Sequence, residues 1–274
     1  MAGHVAGFSS AWLALRAPFD TQCRDVELAR AFAAALPSPA LVVDLGAGAG
    51  ANVRYLSPIV GHDVLSPIVG PGVRFRLVDN DANLLALAQS GLSASTQIEV
   101  TQGNLDRDLQ AAVAGADAVT AAALMDLVSA AWFDGFAELA ARRSWPLLFA
   151  LSVDGRCLIS PADRDDEGIL AGFARDQQRD KGFGPALGPR APAYMRDRLV
   201  SLGARVRLAP SDWRIDAQAP EMLEIFLDGV AEAASRDRAD DAPVIAAWLA
   251  RRREQIAAGA LSLVVGHQDL LAVW

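Results

Sequence analysis

Short apolar runs alternate with stretches of helical periodicity along much of this chain. Residues 41–43, 73–78, 98–101, 116–120 and 146–153 are apolar runs or alternating apolar and polar positions, and read as strands. Between them the apolar residues fall three or four apart, as they do on one face of a helix. Val53, Leu56 and Ile59 or Val60 make one such stripe; residues 83–89, stopped by Ser90-Gly91, make another. Phe133, Phe136 and Leu139 or Ala140 make a third, within 132–141. Strand and helix in alternation predict parallel strands joined by crossovers. Ahead of the first strand, residues 11–36 are helical in pattern, with a break near Pro18, and Pro37-Ser38-Pro39 ends them.

Past residue 153 the pattern loosens. Residues 160–192 are charged and rich in glycine and proline, a solvated face or a lid that orders over a substrate. A helix at 191–202 ends at Gly203, and a sixth strand opens at 204–208 with room to run to Ile215. Met222, Ile225, Phe226 and Val230 stripe a helix at 219–234; Asp241-Ala242-Pro243 starts another that carries Ile245, Trp248, Leu249 and Ile256. Residues 261–265 and 270–274 form a last strand or hairpin. Leu-Ser-Pro-Ile-Val-Gly occurs twice, at 56–61 and 65–70. Its prolines predict an inserted loop or short broken helix rather than a core element. The expected architecture is α/β: a helical lid at 1–39, then one domain at 40–274, with a possible substrate lid at 160–192 and a helical insertion at 219–258.

Composition narrows the partners. With 25 basic and 33 acidic residues the net charge is −8, against the basic footprint of a nucleic-acid binder. The most apolar long window, 111–133, is broken by Asp117 and Asp126, so no membrane span is expected. Cys23 and Cys157 are far apart and no CxxC occurs; the histidines are scattered. Neither a disulfide scaffold nor a metal site is expected. The N-terminus lacks the pattern of a signal peptide, which fits a cytoplasmic protein. Arginine far outnumbers lysine and alanine abounds, as in GC-rich bacterial genomes.

The candidate chemistry centres on Val42-Val43-Asp44-Leu45-Gly46-Ala47-Gly48-Ala49-Gly50. A strand, a turn with glycine at alternate positions and a helix start make a nucleotide-type site at the carboxyl end of a parallel strand. Asp44, two before the first glycine, can hold the turn's amides and orient a ligand that carries an ammonium group. Asp79, at the tip of the second strand, stands where a ribose diol is gripped in such folds. Residues 42–50 closely resemble the first motif of the class I S-adenosylmethionine-dependent methyltransferases. Leu77-Val78-Asp79 resembles their second motif, Gly103-Asn104-Leu105 their adenine-side motif, and Asp117-Ala118-Val119 their fourth-strand motif. The resemblance covers about 40–155 well and 190–274 in pattern.

That resemblance implies a three-layer αβα sandwich with a seven-stranded, mostly parallel sheet, its last strand antiparallel, and S-adenosyl-L-methionine across the strand ends. Gly46, Ala47, Gly48 and Gly50 would bound the methionine part. Asp79, with Asn80 beside it, would take the ribose; Asn104 and Leu105 would flank the adenine, and Ala122 would follow the fourth strand. An aspartate is usual where Asn104 stands, so Asp106 is the alternative acceptor for the adenine amino group. Arg16, in the helical lid, would reach the cofactor's carboxylate or else be a surface arginine.

Methyl transfer is mostly a matter of alignment. Should the acceptor shed a proton, Asp126 is the first candidate base and Asp154 the second; a cap or turn role serves either equally well. No Asn/Asp-Pro-Pro-Tyr/Phe follows the fourth strand, so base or amide methylation is disfavoured. A small-molecule acceptor is expected, polar or anionic to judge from the Arg, Asp and Gln cluster at 175–181. Two other readings stand. Gly46, Gly48 and Ala51 also fit G-x-G-x-x-A, as in a nicotinamide-dependent oxidoreductase, although Tyr194 is followed by Arg198 rather than lysine. A non-catalytic S-adenosylmethionine-binding subunit would keep the turn without a substrate pocket.

Overall fold

The computed structural model describes residues 9–61, 72–237 and 239–274. Helices α1 (Ser10–Cys23) and α2 (Val26–Ala34) come first. Ser9 and Asp25 cap them by accepting from the amides of Trp12 and Leu28. There follow β1 (Ala40–Leu45), α3 (Ala51–Gly61), β2 (Val73–Asp79), α4 (Ala82–Gly91), β3 (Gln97–Gln102), α5 (Leu105–Ala112), β4 (Ala118–Ala122) and α6 (Ala130–Arg143). Then come β5 (Leu147–Ser160), α7 (Asp166–Asp176), a 3-10 turn at Gly188–Arg190, and α8 (Ala191–Ser201). The remainder is β6 (Arg205–Pro210), β7 (Trp213–Ile215), α9 (Pro220–Asp237), α10 (Ala242–Ala257) and β8 (Ser262–Val273).

The strands form one sheet in the order β3-β2-β1-β4-β5-β8-β6, with β7 also pairing β8. Strands β1 to β5 are parallel; β8 runs antiparallel to β5, β6 and β7. One face buries Phe133 and Phe136 of α6 and Met195 and Leu199 of α8. The other buries Phe32 of α2, Val53 and Leu56 of α3, and Leu85 of α4. This is the expected sandwich, with the antiparallel strand last in sequence. The expected seven strands are joined by an eighth, because the segment after β6 breaks at Ser211-Asp212 and re-pairs farther along β8 as β7.

A third core lies outside the sandwich. Strand β5 does not end at Val153. It shifts register twice and pairs with β8 out to Ser160↔Ser262. With β7 this outer arm carries Trp213, Leu263 and Val265, and α7, α9 and α10 cover it. Helices α9 and α10 fall between β7 and β8. Part of the charged 160–192 stretch is α7, packed so tightly on α9 that a Cβ on Gly172 would stand 3.2 Å from Ala234 Cα.

Two expectations need correction. The N-terminal helix does not break near Pro18; α1 runs through it and the joint comes at Arg24-Asp25. The first Leu-Ser-Pro-Ile-Val-Gly copy continues α3 and is core, with Leu56 and Val60 wholly buried. Both prolines sit on solvent faces, four residues after the exposed Ala14 and Arg54, so the carbonyl that loses its partner can turn to water. The second copy, at 65–70, lies outside the described residues. Of the two readings of 261–274, last strand or hairpin, the strand is the one found: β8 runs unbroken through Gly266-His267-Gln268-Asp269.

Candidate functional site

The parallel register brings the carboxyl ends of β1, β2 and β4 side by side, Leu45 opposite Val78 and Ala121. The glycine turn leaves β1 at that edge. Gly46, Gly48 and Gly50 all take left-handed backbone, φ 63°, 51° and 77°. Gly50 is further confined: a Cβ there would stand 3.0 Å from Ala88 Cβ of α4. Ala47 N–H donates to Val78 O at 3.0 Å, lashing the turn to β2.

Asp79 organises the turn. One carboxylate oxygen accepts Gly48 N–H at 2.8 Å and the other accepts Asp81 N–H at 2.9 Å. The turn's amides were expected to be held by Asp44. Instead Asp44 points inward from β1, wholly buried, and its Oδ1 accepts Asn52 Nδ2 at 2.6 Å. Asn52 also donates to Thr120 Oγ1, whose own hydroxyl donates to Leu148 O. Asp44 Oδ2 is buried with no hydrogen-bond partner among the described residues. Burial pushes this carboxyl up to about 7, further aided by Asp79; the Asn52 hydrogen bond and the Arg24 charge oppose it.

On the neighbouring strand end, Asn104 is exposed and caps α5, its Oδ1 accepting Asp106 N–H at 2.9 Å. Leu105 is buried and its carbonyl accepts Trp132 Nε1 at 3.0 Å. Asn80 and Asp106 are exposed. Ala122 ends β4 half-buried, and the chain then turns through Ala123, φ 52°. The next residue, Leu124, lays its side chain over the turn, 3.2 Å from where a Gly46 Cβ would be. Leu13 of α1 closes on Gly48 in the same way, at 3.6 Å. Helix α1 therefore covers the glycine turn.

Arg16 is not a surface arginine. It is buried, pairs with Asp20 through two hydrogen bonds of 2.9 and 3.1 Å, and lies over the Trp213 ring at 4.8 Å. Asp126 lies in the loop after β4, its Oδ1 buried and without a hydrogen-bond partner among the described residues. Burial pushes its carboxyl up to about 6, against the pull of its own backbone hydrogen bond, Arg16 and Lys181. Asp154 is elsewhere, on the outer arm of β5. It accepts two hydrogen bonds from the Arg156 guanidinium, at 2.8 and 2.5 Å, and Arg156 also binds Asp212. Partial burial would raise its carboxyl, but Arg156 and Gln268 outweigh this and hold it below the ordinary value. A carboxylate so engaged is a poor proton acceptor, so Asp154 drops out as a candidate base.

Sequence reasoning passed over Arg24, Asn52, Thr120, His267 and Asp269. All five are buried polar residues. Their signal was present: Thr120 interrupts an apolar strand, and His267 and Asp269 interrupt another. His267 is fixed by Nδ1 bonding to Val265 O and faces Trp213 at 4.9 Å. Burial and then Arg16 push it down to about 4, so the ring is neutral near pH 7. The Cys23 and Cys157 thiols are unpaired, and burial pushes both up to about 12; neither is a ready nucleophile. Among the described residues no helix is long and apolar enough to cross a membrane.

No protein-family model matches the chain, and no curated protein matches it in sequence. Solved structures do resemble it. A cyclopropane-fatty-acyl-phospholipid synthase-like protein from Lactobacillus casei aligns over 98% of this chain and 95% of its own, at TM-score 0.54 and 13% identity. A candidate type II methyltransferase from Anaeromyxobacter dehalogenans aligns over 91% and 95%, at TM-score 0.50 and 14% identity. Identity this low speaks to fold. By its strand order, its antiparallel β8 inserted beside β5 and its glycine turn after β1, the chain has the fold of the class I S-adenosylmethionine-dependent methyltransferases.

Proposed function

We propose that the chain transfers the methyl group of S-adenosyl-L-methionine to a small-molecule acceptor. The observation that carries this reading is Asp44 Oδ2, a carboxylate oxygen buried beside the glycine turn with no hydrogen-bond partner among the described residues. An unmet buried acceptor costs stability. A ligand ammonium would meet it, and Asp79, one strand over, suits a ribose diol. When bound, the cofactor supplies a methyl group on a sulfonium, open to in-line displacement.

The chain's own part is to bind, orient and exclude water. Gly46, Ala47, Gly48 and Gly50 bring backbone close to the methionine part. Asp79 takes the ribose hydroxyls with Asn80 at the rim, and Leu105 flanks the adenine. Asn104, or Asp106, accepts from the adenine amino group; Asn104 must share its oxygen with the α5 cap. Ala122 lines the approach to the transferred group. Arg16, committed to Asp20, acts through its charge rather than by grasping the cofactor. Leu13 and α1 keep water out. Asp126, where the acceptor carries an acidic proton, receives it on Oδ1. Arg16 and Lys181 near Asp126 favour a polar or anionic acceptor.

Thermal shift tests the cofactor. S-adenosylhomocysteine is expected to raise Tm, and NADH to leave it unchanged; the reverse would support the oxidoreductase reading. The affinity should also depend on pH. At pH 6 Asp44 is mostly protonated and at pH 8 mostly ionised, and only the anion pairs with an ammonium. Binding then releases a proton, and S-adenosylhomocysteine should bind about tenfold more tightly at pH 8 than at pH 6. A flat profile by calorimetry would remove Asp44 from the site.

Asp126 gives a second test, on turnover. If it takes the acceptor's proton it must be ionised, so kcat should rise with pH through about 6 and level off above. Asp126→Asn should lose that limb and lower kcat by roughly 100-fold or more, with S-adenosylhomocysteine affinity unchanged. A variant that keeps both limb and rate would leave Asp126 a loop residue.

A further inference from the structure

We propose that Arg24 and Asp269 form a buried latch that fixes the N-terminal helices and the break in β5 against the glycine turn. Both would then be positioning residues for the donor site. That last consequence rests on the proposed function; the latch itself rests on geometry.

Arg24 stands in the joint between α1 and α2. Its side chain is 3% exposed and that of Asp269 is 1% exposed. Its Nη1 donates to Asn52 Oδ1 at 2.9 Å, its guanidinium lies 4.3 Å from the Tyr55 ring centre, and its Nε is 3.5 Å from Asp269 Oδ2. Asn52 in turn holds Asp44. A single side chain therefore separates Arg24 from the carboxylate that carries the cofactor proposal.

Asp269 reaches two further elements. Its Oδ2 accepts Asp25 N–H at 3.0 Å, in the same joint. Its Oδ1 accepts Leu151 N–H at 2.9 Å. Leu151 takes φ 58°, where the register between β5 and β8 first shifts. Left-handed backbone is strained for leucine and persists where its surroundings impose it. Here a buried carboxylate holds the amide. One ion pair thus ties together the helical joint, the start of α3 and the β5 break. The break also lies beside the loop that carries Asp126, since Ala123 N–H donates to Ala150 O at 2.9 Å.

A buried ion pair is a poor route to stability, because well-packed apolar groups commonly do as well. Arg24 even leaves Nε and Nη2 without hydrogen-bond partners among the described residues. Its best-attested use is to fix one arrangement among several, which here means the register of the lid on the turn.

The test uses the full chain and the double variant Arg24→Met/Asp269→Asn, which strands no charge. Hydrogen exchange without ligand should quicken at least about tenfold at residues 10–24 and 150–152, and stay unchanged in α6. In the folded variant S-adenosylhomocysteine should bind about tenfold more weakly, the worth of one hydrogen bond to a charged group. Unchanged exchange at both segments would overturn the latch. Faster exchange, in a protein whose wild type never binds S-adenosylhomocysteine, would keep the latch and sink the proposed function. Equal affinity in wild type and variant would sink the positioning role alone. Should the double variant not fold, Arg24→Lys keeps the charge for Asp269 but not the planar fork for Asn52. It should still quicken exchange at residues 10–24 and lose about tenfold in affinity; unchanged exchange would overturn the latch, and full affinity the positioning role.

Discussion

Asp79→Ala is expected to weaken S-adenosylhomocysteine binding by about 100-fold or more while the protein stays folded. Two losses combine. The ribose loses its acceptor, and the glycine turn loses the carboxylate that holds Gly48 N–H at 2.8 Å. The ribose diol offers Asp79 two hydrogen bonds to a charged group, of about 1.5–3 kcal/mol each, which gives the expected factor, and the loosened turn adds to it. Asp79 is only half-buried, so water can take its place at Gly48 N–H and Asp81 N–H; the fold is kept with a modest drop in Tm. Asp79→Asn keeps one acceptor oxygen and should fall in between, near tenfold. Calorimetric titration of both variants checks the order. Equal binding by alanine and wild type would mean that β2 ends outside the cofactor site.

The largest effect on stability should come from the outer core. Arg252 is wholly buried in α10. It donates to Asp166, to Pro161 O at 2.7 Å and to Gln255 Oε1 at 2.7 Å. Asp166 also accepts Trp248 Nε1 at 2.8 Å and Asp163 N–H at 2.8 Å. Arg252→Met would leave that largely covered carboxylate without its counter-charge. Breaking such a pair costs about 3–5 kcal/mol, which in a chain of this size means roughly 6–20 °C in Tm. Adding Asp166→Asn should restore part of the loss, because the charge is removed while an acceptor remains. Thermal melts of the single and double variants measure it. A single variant within 2 °C or so of wild type would show the pair to be dispensable.

How much of this could be read beforehand varies with the physics of each element. The glycine turn was legible because left-handed backbone selects glycine, and Gly46, Gly48 and Gly50 all use it. Asp79 was legible from its place at the end of β2. Asp44 was found, but its partner was not. Asn52 is eight residues on, and nothing in local periodicity says that an amide will turn back toward β1. Arg16 could not be judged, because its burial depends on Asp20 and on Trp213, almost two hundred residues away in the chain. The outer arm of β5 reads as a turn because Asp154-Gly155-Arg156 is polar and largely exposed, yet the strand resumes pairing at Cys157↔Val265. The middle of β8 leaves strand and hairpin both open for a related reason. His267 and Asp269 are polar, but the partners that make them tolerable in the core come from the N-terminal helices and β7.

Those two long strands decide how the site can open. Both β5 and β8 pass without a gap from the inner sheet into the outer arm and pair along most of that length. A hinge between two lobes needs a few pliable residues that swing without tearing paired backbone. Here any swing would bend two hydrogen-bonded strands at once. A clamshell motion would therefore disturb paired backbone in two strands at once, whereas displacing a peripheral piece would not. Helix α1, in contact with Gly48 through Leu13, is such a piece.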